Sequence, residues 1–354
     1  MKKSFLITTG GSGGHVIPAT ILYDHLMKVA NIIISTDKRG LKYLDESKCE
    51  LNIIDTPKLQ NIFFLPFNFF KILFLTFKSY FLIRKKNIQK IFSTGGYMSL
   101  PIIFAAKLRK VDIYLIEPNQ VLGRANKFFL KSCKKIFCYS DKMINFPVKF
   151  KDKIIIINPL VRKVFYNSNI SSRKKDIFSI LVVGGSQGAT IFDKEIKDKI
   201  FNVAKKYPLK VIHQTSEKNI ANLKRFYSLN NIQNLIFSFD KDFVKIMQET
   251  DLCITRAGAS TLAELSILNI PFLAIPLPTS KDNHQFENAS FYEVKDCCWI
   301  LDQKLFENKI EEVLKDILGN NVDYLKKKDN LKKLNYQNTW INVNQKILSV
   351  INEN

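Results

Sequence analysis

The chain has 354 residues, enough for two domains of ordinary size, and its 46% hydrophobic and 24% charged residues are typical of a globular protein. Its 54 lysines and arginines against 32 acidic residues give a net charge of +22, which fits nucleic-acid binding, attraction to an anionic membrane or lipid, or compositional drift in an AT-rich genome. The six cysteines have no C-x-x-C spacing and lie mostly in apolar runs, which favours a reduced cytoplasm.

The chain opens with a strand, a glycine turn and a helix. The strand is predicted at Ser4–Thr9, the turn is Gly10–His15, and the helix runs from about Pro18 to Ala30 before a strand at Asn31–Ser35. Backbone N–H groups at such a turn lie at the positive end of the helix dipole, where they bind phosphate. The pattern predicts the start of a doubly wound parallel sheet.

An aromatic segment follows at Ile62–Ile83, with Arg84, Lys85 and Lys86 directly after it. On a helical projection four polar residues, Asn68, Lys71, Lys78 and Ser79, share a narrow stripe, and the remainder is apolar and aromatic. The longest uncharged stretch is shorter than the ~20 residues that a spanning helix needs. A core helix is one interpretation. The number of phenylalanines and the flanking cations favour a helix lying in a membrane interface.

Further strands are predicted in both halves of the chain, on either side of a polar linker at Asn167–Asp176. A second glycine turn, Gly184–Ala189, again follows an apolar strand, so the two halves are expected to be similar α/β domains. The residues from Val322 to Asn354 have helical periodicity. The remaining predicted strands are Lys90–Ser93, Asp112–Glu117, Ile154–Ile157, Ile180–Val183, Lys210–His213, Asn234–Ser238, Leu252–Thr255 and Pro271–Ile275.

Neither glycine turn matches the dinucleotide fingerprint G-x-G-x-x-G. The third glycine of the first turn would fall at Val16, and Asp37 alone occupies the place of a ribose-binding acid. A nicotinamide-dependent oxidoreductase is therefore a minor alternative. In the second half, Arg256–Glu264 places small residues and hydroxyls at a helix start, as a phosphate and a ribose require, and Asp282–Gln285 offers amides to sugar hydroxyls. Helix capping and turn formation explain the same residue types taken singly.

Together these motifs resemble the MurG family, bacterial glycosyltransferases that add N-acetylglucosamine to the lipid-linked muramyl-pentapeptide precursor of peptidoglycan. The resemblance extends over nearly the whole chain, and the order and spacing of the motifs make it specific. It is carried by Gly10–His15, Gly95–Tyr97, Glu117 with Asn119, Asn158–Arg162, Gly184–Ala189, Arg256–Glu264 and Asp282–Ala289.

The resemblance implies an α/β protein with the GT-B fold, in which two Rossmann-like doubly wound domains are separated by a cleft. Residues 1–162 would bind the acceptor and the membrane, residues 163–335 would bind UDP-GlcNAc, and residues 336–354 would form a helix that packs back on the first domain. It also implies a peripheral enzyme on the cytoplasmic face of the inner membrane, partners in the cell-wall and division machinery, and no nucleic-acid partner.

Family roles carry over to individual residues. Ser12, Gly13 and Gly14 would line the acceptor and diphosphate region, and Asn119 would contact the donor sugar. Arg162 and Ser186 would contact the diphosphate. Phe239 would cover the uracil, whose edge the backbone of Asp240 would read. The remaining donor-site residues would be Ala259, Ser260, Thr261, Leu262 and Ala263 around the phosphate, Glu264 at the ribose hydroxyls and Gln285 at the sugar hydroxyls.

The implied reaction inverts the anomeric centre, because the muramyl 4-hydroxyl attacks opposite the UDP leaving group. His15 is the first candidate for the base, with a structural role as the alternative, and Glu117 is the second. Helix dipoles and Arg162 would stabilise the leaving diphosphate, so no metal or other cofactor is expected. The acidic pair of Asp240-Lys241-Asp242 is interpreted as a helix start, with metal binding as the alternative.

The chain departs from the family pattern at two places. Ile116 and Pro118 replace a usual His and Gln around Glu117, and His284 stands where a glutamine is usual. Two alternatives to the family function are another lipid glycosyltransferase with this fold and a non-catalytic lipid-binding protein. Nucleic-acid binding predicts aromatic residues interleaved with basic ones, whereas here the aromatics cluster between Phe63 and Phe81.

Overall fold

The computed structural model describes residues 2–57, 65–167, 177–184, 190–240 and 242–353. They form two compact units. The first unit comprises residues 1–160 together with 343–354, and the second comprises residues 161–342. The predicted linker, apart from Asn167, lies outside the described residues.

The first unit contains a parallel sheet of seven strands in the order β3-β2-β1-β4-β5-β6-β7. Its strands are β1 (Lys3–Thr8), β2 (Ala30–Thr36), β3 (Glu50–Ile53), β4 (Ile88–Ser93), β5 (Asp112–Glu117), β6 (Lys135–Cys138) and β7 (Ile154–Ile156). Its helices are α1 (Gly13–Leu26), α2 (Lys38–Leu41), α3 (Leu65–Lys85), α4 (Leu100–Leu108) and α5 (Arg124–Phe129).

The second unit contains a parallel sheet of six strands in the order β10-β9-β8-β11-β12-β13. Its strands are β8 (Phe178–Val183), β9 (Leu209–Gln214), β10 (Gln233–Phe237), β11 (Leu252–Thr255), β12 (Phe272–Ala274) and β13 (Cys298–Ile300). Its helices are α6 (Lys163–Tyr166), α7 (Thr190–Ala204), α8 (Glu217–Leu229), α9 (Phe243–Gln248), α10 (Ala259–Ile267), α11 (His284–Glu293), α12 (Phe306–Gly319) and α13 (Asn321–Leu334). A last helix, α14 (Trp340–Asn352), enters the first unit from residue 343 onward.

Both sheets are doubly wound, and six strands of each follow the order 3-2-1-4-5-6 within their unit. The central strands are buried on both faces, which is why they consist of near-continuous apolar runs such as Ile180–Val183. In such a sheet the strand order reverses beside the first strand, and ligands bind outside the carboxyl ends at that point. The point lies between β1 and β4 in the first unit and between β8 and β11 in the second.

Three short strands were not predicted, namely β3, β6 and β13. Each has three or four residues, which is too short to show a periodicity, and the equally short β12 was predicted from its apolar run at Pro271–Ile275 and not from a periodicity. Their place in the sheet is fixed by pairing to a longer neighbour, such as β5 for β6. The prediction that the first helix begins near Pro18 was also wrong, because α1 begins at Gly13 and contains Pro18. Gly13 and Gly14 are therefore helical residues.

Helix α3 has its polar and aromatic faces in the reverse of the usual orientation. Asn68, Thr76 and Ser79 are buried together with Leu75 and Ile83, and the helix packs on α4. The Thr76 and Ser79 hydroxyls donate to carbonyls one turn earlier, which satisfies them without water. The aromatic face is outward, so the core-helix interpretation fails for most of these side chains. The exposed large residues are Phe67, Phe69, Phe70, Leu73, Phe74, Phe77 and Phe81.

Helix α14 covers the end of α1. Its residues Val343 and Ile347 are buried, and the Asn344 amide nitrogen lies 2.9 Å from the carbonyl oxygen of His25 and 3.2 Å from His25 Nδ1. Burial lowers the pKa of His25 to about 4, so this imidazole is neutral at pH 7. His25 is therefore a buried residue with a structural role.

The cysteines are unpaired among the described residues, and five of the six are buried. The prediction from their apolar surroundings holds for all but Cys49, which is partly exposed. Burial raises the pKa of the Cys133 thiol to about 11, which keeps it protonated at neutral pH. The cysteines thus serve as small apolar core residues.

Candidate active site

The first glycine turn is fastened by a buried carboxylate. Asp37 Oδ1 accepts hydrogen bonds from the backbone N–H of Gly11 at 2.8 Å and of Gly40 at 3.0 Å. Gly11 has φ +82°, and a Cβ on it would lie 2.8 Å from Met98 Cε, so glycine is required for both conformation and space. The turn is therefore a preformed feature of the first unit.

Asp37 also forms an ion pair with Arg39 beside the turn. Its Oδ2 accepts from Arg39 Nε at 2.8 Å, the Arg39 guanidinium bonds to the Tyr97 hydroxyl, and Arg39 lies over the Tyr97 ring. Both oxygens of Asp37 are thus engaged within the protein. This removes the one feature that suggested a ribose-binding acid, because Asp37 fixes the turn itself.

His15 lies in the first turn of α1 and packs against a further glycine turn, at Gly95 and Gly96. Its Nδ1 is 2.8 Å from the carbonyl oxygen of Thr94. A carbonyl can only accept, so Nδ1 carries the proton and the lone pair of the neutral ring is on Nε2. Gly95 has φ +90°, and a Cβ there would approach His15 Cε1 to 3.4 Å. The glycine turn thus makes room for an imidazole of defined tautomer.

The predicted acceptor residues Ser12, Gly13 and Gly14 lie at the start of the same helix. Ser12 precedes the helix, and its carbonyl accepts from the N–H groups of His15 and Val16. Gly14 is exposed. The structure therefore brings these three residues and His15 together at the carboxyl end of β1.

Glu117, the second candidate base, is buried and fully engaged. Its Oε1 accepts from the backbone and side-chain nitrogens of Asn119 at 3.2 and 3.1 Å. Its Oε2 accepts from Gly123 N at 2.8 Å and from Asn126 Nδ2 at 3.0 Å. Burial raises the pKa of Glu117, and these four hydrogen bonds oppose that rise. The geometry favours a positioning role for Glu117, which holds the loop that carries Asn119.

In the second unit, Arg162 and Glu264 form an ion pair. Arg162 Nε donates to Glu264 Oε1 at 2.9 Å, and the guanidinium lies over the Phe165 ring. Burial raises the pKa of Glu264, and the charge and hydrogen bond of Arg162 lower it. The two residues were predicted to contact different parts of a ligand, and the structure places them beside each other.

Helix α10 begins directly after β11 and supplies the other predicted donor residues. Its N-cap is Gly258, and its first residues, Ala259, Ser260 and Thr261, are half-buried. The N–H groups of a first helical turn have no intrahelical partner, and the dipole favours an anion there. Leu262 and Ala263 are buried, so their side chains support the turn by packing, and their backbone is the part that can contact a ligand.

Amide side chains shape the loop after β11. Gln285 Oε1 accepts from Ala257 N at 3.3 Å and from Leu277 N at 3.0 Å, and Asn288 Nδ2 donates to the Ala257 carbonyl. The Arg256 guanidinium donates to the carbonyl of Ile275. The side-chain oxygen of Gln285 is therefore hydrogen-bonded within the protein, and its side-chain NH₂ group is the part available to a sugar hydroxyl.

Sequence reasoning missed several of these positioning residues. Arg39, Asn126 and Asn288 were not singled out, although Asn288 lies within a motif that carried the resemblance. Arg39 lies two residues after Asp37, which could have suggested their contact, although the turn that Asp37 holds lies 26 residues earlier in the chain. Nothing local to Asn126 indicates that it reaches a carboxylate nine residues earlier.

The remaining predicted residues follow β8 and β10 along the chain. Phe239 follows β10 and is 76% exposed, which leaves its ring able to stack on a ligand. Asp240 Oδ1 accepts from Asp242 N, and α9 follows with Asp242 as its N-cap, as a helix-start pair would be placed. Lys241 and Gly185–Ala189, including Ser186, lie outside the described residues.

Two features are absent from the described residues. No three His, Cys, Asp or Glu side chains within these ranges are grouped so that they could hold a metal ion. No helix in the described part of the chain is long and apolar enough to cross a bilayer.

The chain matches two family models. The glycosyltransferase family 28 N-terminal domain matches residues 5–138, and the C-terminal domain of the same family matches residues 179–339. Two similar curated proteins have the same name, UDP-N-acetylglucosamine–N-acetylmuramyl-(pentapeptide) pyrophosphoryl-undecaprenol N-acetylglucosamine transferase. One, from Pelagibacter ubique, is 50% identical over 100% of both chains. The other, from Rickettsia felis, is 33% identical and covers 90% of this chain and 92% of its own.

Solved structures show the same fold. The crystal structure of Acinetobacter baumannii MurG superposes with a TM-score of 0.80 at 22% identity, covering 100% of both chains. A UDP-GlcNAc 2-epimerase from Neisseria meningitidis, bound to UDP-GlcNAc, has a TM-score of 0.68 at 15% identity, covering 99% of this chain and 100% of that one. Two Rossmann-like parallel-sheet domains with these matches confirm the GT-B fold.

Proposed function

This chain belongs to the family of UDP-N-acetylglucosamine–N-acetylmuramyl-(pentapeptide) pyrophosphoryl-undecaprenol N-acetylglucosamine transferases, and we propose that it catalyses the reaction for which the family is named. N-acetylglucosamine moves from UDP-GlcNAc to the 4-hydroxyl of the lipid-linked muramyl-pentapeptide, with inversion at the anomeric carbon. The observation that carries this proposal is the 50% identity over the full length of a relative with that name.

His15 acts as the general base. The Thr94 carbonyl at 2.8 Å fixes the proton on Nδ1, and Nε2 then has the lone pair that accepts the proton of the muramyl hydroxyl. The imidazole is half-buried, and an imidazole is the side chain best suited to take up a proton near neutral pH. Glu117 supports the reaction by fixing the loop of Asn119, which contacts the donor sugar.

The second unit binds the donor. The first turn of α10 and Arg162 face the diphosphate, where they stabilise the charge that develops as UDP leaves. Arg162 remains bonded to Glu264 through Nε, which leaves its terminal nitrogens for phosphate oxygens. Glu264 accepts from the ribose hydroxyls, Phe239 stacks on the uracil beside the Asp240 backbone, Ser186 contacts the diphosphate, and the Gln285 NH₂ group donates to a sugar hydroxyl.

The aromatic face of α3 binds the membrane surface. Seven large apolar side chains exposed on one helix form a larger apolar patch than the surface of a soluble protein usually carries. The helix carries Lys71, Lys78, Arg84 and Lys85 and no acidic residue, which suits an anionic leaflet. The buried, unpaired cysteines fit the reducing cytoplasmic side of the inner membrane. Partners in the cell-wall and division machinery stay a prediction of the resemblance.

Membrane binding is tested with Phe70→Asp combined with Phe74→Asp. Both side chains are 66% exposed, so the fold does not depend on them. Two Phe burials are worth about 3 kcal/mol or more, so liposome affinity falls at least ~100-fold while UDP binding is unchanged. Leu229→Asp with Val322→Asp is the matched control, since it adds the same charge at exposed apolar residues of the second unit. Equal liposome binding by all three proteins would refute the membrane role of α3.

The reaction is tested by following radiolabelled N-acetylglucosamine from UDP-GlcNAc to a lipid-linked muramyl-pentapeptide, with and without EDTA. Transfer that persists in EDTA supports both the reaction and metal independence. Transfer lost in EDTA and restored by a divalent cation would refute metal independence. UDP-GlcNAc binding without transfer would point to another lipid acceptor, and failure to bind UDP-GlcNAc would refute the donor assignment.

A further inference from the structure

A row of lysines borders the aromatic face of α3. Lys71, Lys78 and Lys85 are spaced by seven residues, so they lie on one flank of the helix, and all three are exposed. Lys86 is paired with Glu50 at 2.6 Å, whereas no described acidic group is paired with the three lysines of the row. The flank is therefore a line of uncompensated positive charge beside apolar surface.

A groove of about 460 Å³ opens along this flank, between the second half of α3 and the region of the edge strand β3. The surface inside it is mostly apolar, and the Ser79 hydroxyl, its buried polar group, is already bonded to the Leu75 carbonyl. Three cations and no acid are among the residues that line it. The lining consists of Asn52, Ile54, Lys78, Ser79, Phe81, Leu82, Arg84 and Lys85.

We propose that this groove, the α3 groove, binds one anionic phospholipid of the membrane, with its phosphate at Lys78, Arg84 and Lys85 and part of an acyl chain along Phe81 and Leu82. An apolar interior with only cations at its rim matches a molecule that joins a hydrocarbon chain to a phosphate. The inference rests on the proposed membrane binding by α3, because Phe81 belongs to both the groove and the exposed aromatic face.

The α3 groove differs from a diffuse attraction to negative charge. Diffuse attraction depends on the number of cations near the surface and acts on Lys71 and Lys78 alike. A bound headgroup requires the cations that line the groove, and Lys78 lines it whereas Lys71 does not. The two lysines are on the same helix, on the same flank and equally charged, so they are a matched pair.

The first experiment compares Lys78→Gln with Lys71→Gln. The measured quantity is the ratio of affinities for phosphatidylcholine vesicles with and without a minor fraction of phosphatidylglycerol. We expect the ratio to fall about ten-fold more for Lys78→Gln than for Lys71→Gln, as the loss of one charge-assisted hydrogen bond to a phosphate predicts. An equal fall in the two variants overturns the proposal and leaves only diffuse attraction.

The second experiment locates the lipid directly with tryptophan fluorescence. Phe81→Trp places an indole at the groove, and Phe70→Trp places one elsewhere on the aromatic face. Vesicles contain both lipids, with bromine either on the phosphatidylglycerol or on an equal amount of the phosphatidylcholine. Brominated phosphatidylglycerol should quench Phe81→Trp more strongly than brominated phosphatidylcholine does, and the two lipids should quench Phe70→Trp equally.

The outcomes separate this inference from the proposed function. Equal quenching of Phe81→Trp by the two brominated lipids overturns the α3 groove as a phospholipid site while membrane binding stands. Loss of the excess quenching on adding a polyprenyl diphosphate, at a concentration well below that of phosphatidylglycerol, assigns the groove to the acceptor lipid and also overturns the proposal. Failure of the parent chain to bind any vesicle overturns both the groove and the membrane role of α3.

Discussion

The two ends of α1 each carry a histidine, and the proton of the neutral imidazole is on opposite ring nitrogens in the two. At the first turn, His15 Nδ1 faces a carbonyl and must carry the proton. At the last turn, His25 Nδ1 faces an amide NH₂ group, which can only donate, so this nitrogen has the lone pair. His15 is half-buried beside glycine turns, whereas His25 is buried under α14.

The difference shows that the surroundings, and not the residue type or the helix, decide what a histidine does. Glycines with positive φ leave space around His15, and its lone pair is on the nitrogen opposite the tethered one. Packing removes solvent from His25 and lowers its pKa to about 4. One end of the helix is thus suited to proton transfer and the other to stability. Four substitutions test that division, in decreasing order of expected effect.

The largest effect is expected for His15→Gln. Loss of a general base lowers kcat about 10²–10⁴-fold, equivalent to about 3–5 kcal/mol in the barrier, while the melting temperature and UDP binding stay near those of the parent. Single-turnover transfer and UDP titration measure the two quantities. His25→Gln, at the other end of the same helix, is the control and should keep the parental kcat. A His15→Gln variant with parental kcat would mean that the base lies elsewhere and would break the comparison.

The next largest effect is the pH dependence contributed by His25. Because its pKa is about 4 in the folded chain and about 6.5 when unfolded, the unfolded state binds more protons between these values. The contribution is complete above about pH 6.5 and is lost as the pH falls towards 4, a change of about 3 kcal/mol. Denaturant titrations at both ends of this window should show that loss in the parent and not in His25→Gln. An identical pH dependence in the two proteins would contradict the assignment.

A smaller effect is expected for Gly95→Ala. The methyl group would occupy a backbone conformation with φ +90° at a cost of about 1–2 kcal/mol, and it would contact His15 Cε1. We expect reduced stability and a kcat about 10-fold lower, because the imidazole is displaced from its position. If kcat falls only in proportion to the folded fraction, the glycine turn supports the backbone and does not position His15.

The smallest effect is expected for Asn344→Ala. It removes the hydrogen bond to the His25 carbonyl and leaves that carbonyl under α14, at a cost of about 1–2 kcal/mol. Gln345→Ala, at an exposed neighbouring residue, should be nearly neutral. Thermal unfolding compares the two variants, and kcat should be parental in both. A loss of kcat without a loss of stability in Asn344→Ala would extend the catalytic role to the far end of α1.

Much of the fold could be predicted because apolar runs at buried strands, and glycine turns, leave local signals. Ile180–Val183 and Leu252–Thr255 were predicted within two residues of their observed bounds. The three-residue strand β13 could not be predicted, since its pairing with β12 is a tertiary effect. The start of α1 was placed too late because proline is common at the first position of a helix, which suggested a start at Pro18. In the structure Gly13 and Gly14 before it are already helical.

The family resemblance supplied residue roles, but it could not supply the contacts of the unliganded chain. The pairing of Arg162 and Glu264 joins residues 102 positions apart, and the four donors around Glu117 depend on how the loop after β5 folds back on the carboxylate. The outward face of α3 was ambiguous for a physical reason. Hydrophobic periodicity locates a helix and its stripes, but which of its polar and aromatic side chains are buried depends on the packing against α4.

The path of the chain through the first unit has a consequence for folding during synthesis. The contact between His25 and Asn344 spans 319 residues, so α1 is covered only after the entire second unit has been translated. Loop closure over that separation is slow and is favoured once the second unit has become compact. During synthesis the first unit therefore keeps the end of α1 uncovered until α14 has been made. The first unit is translated first and completed last.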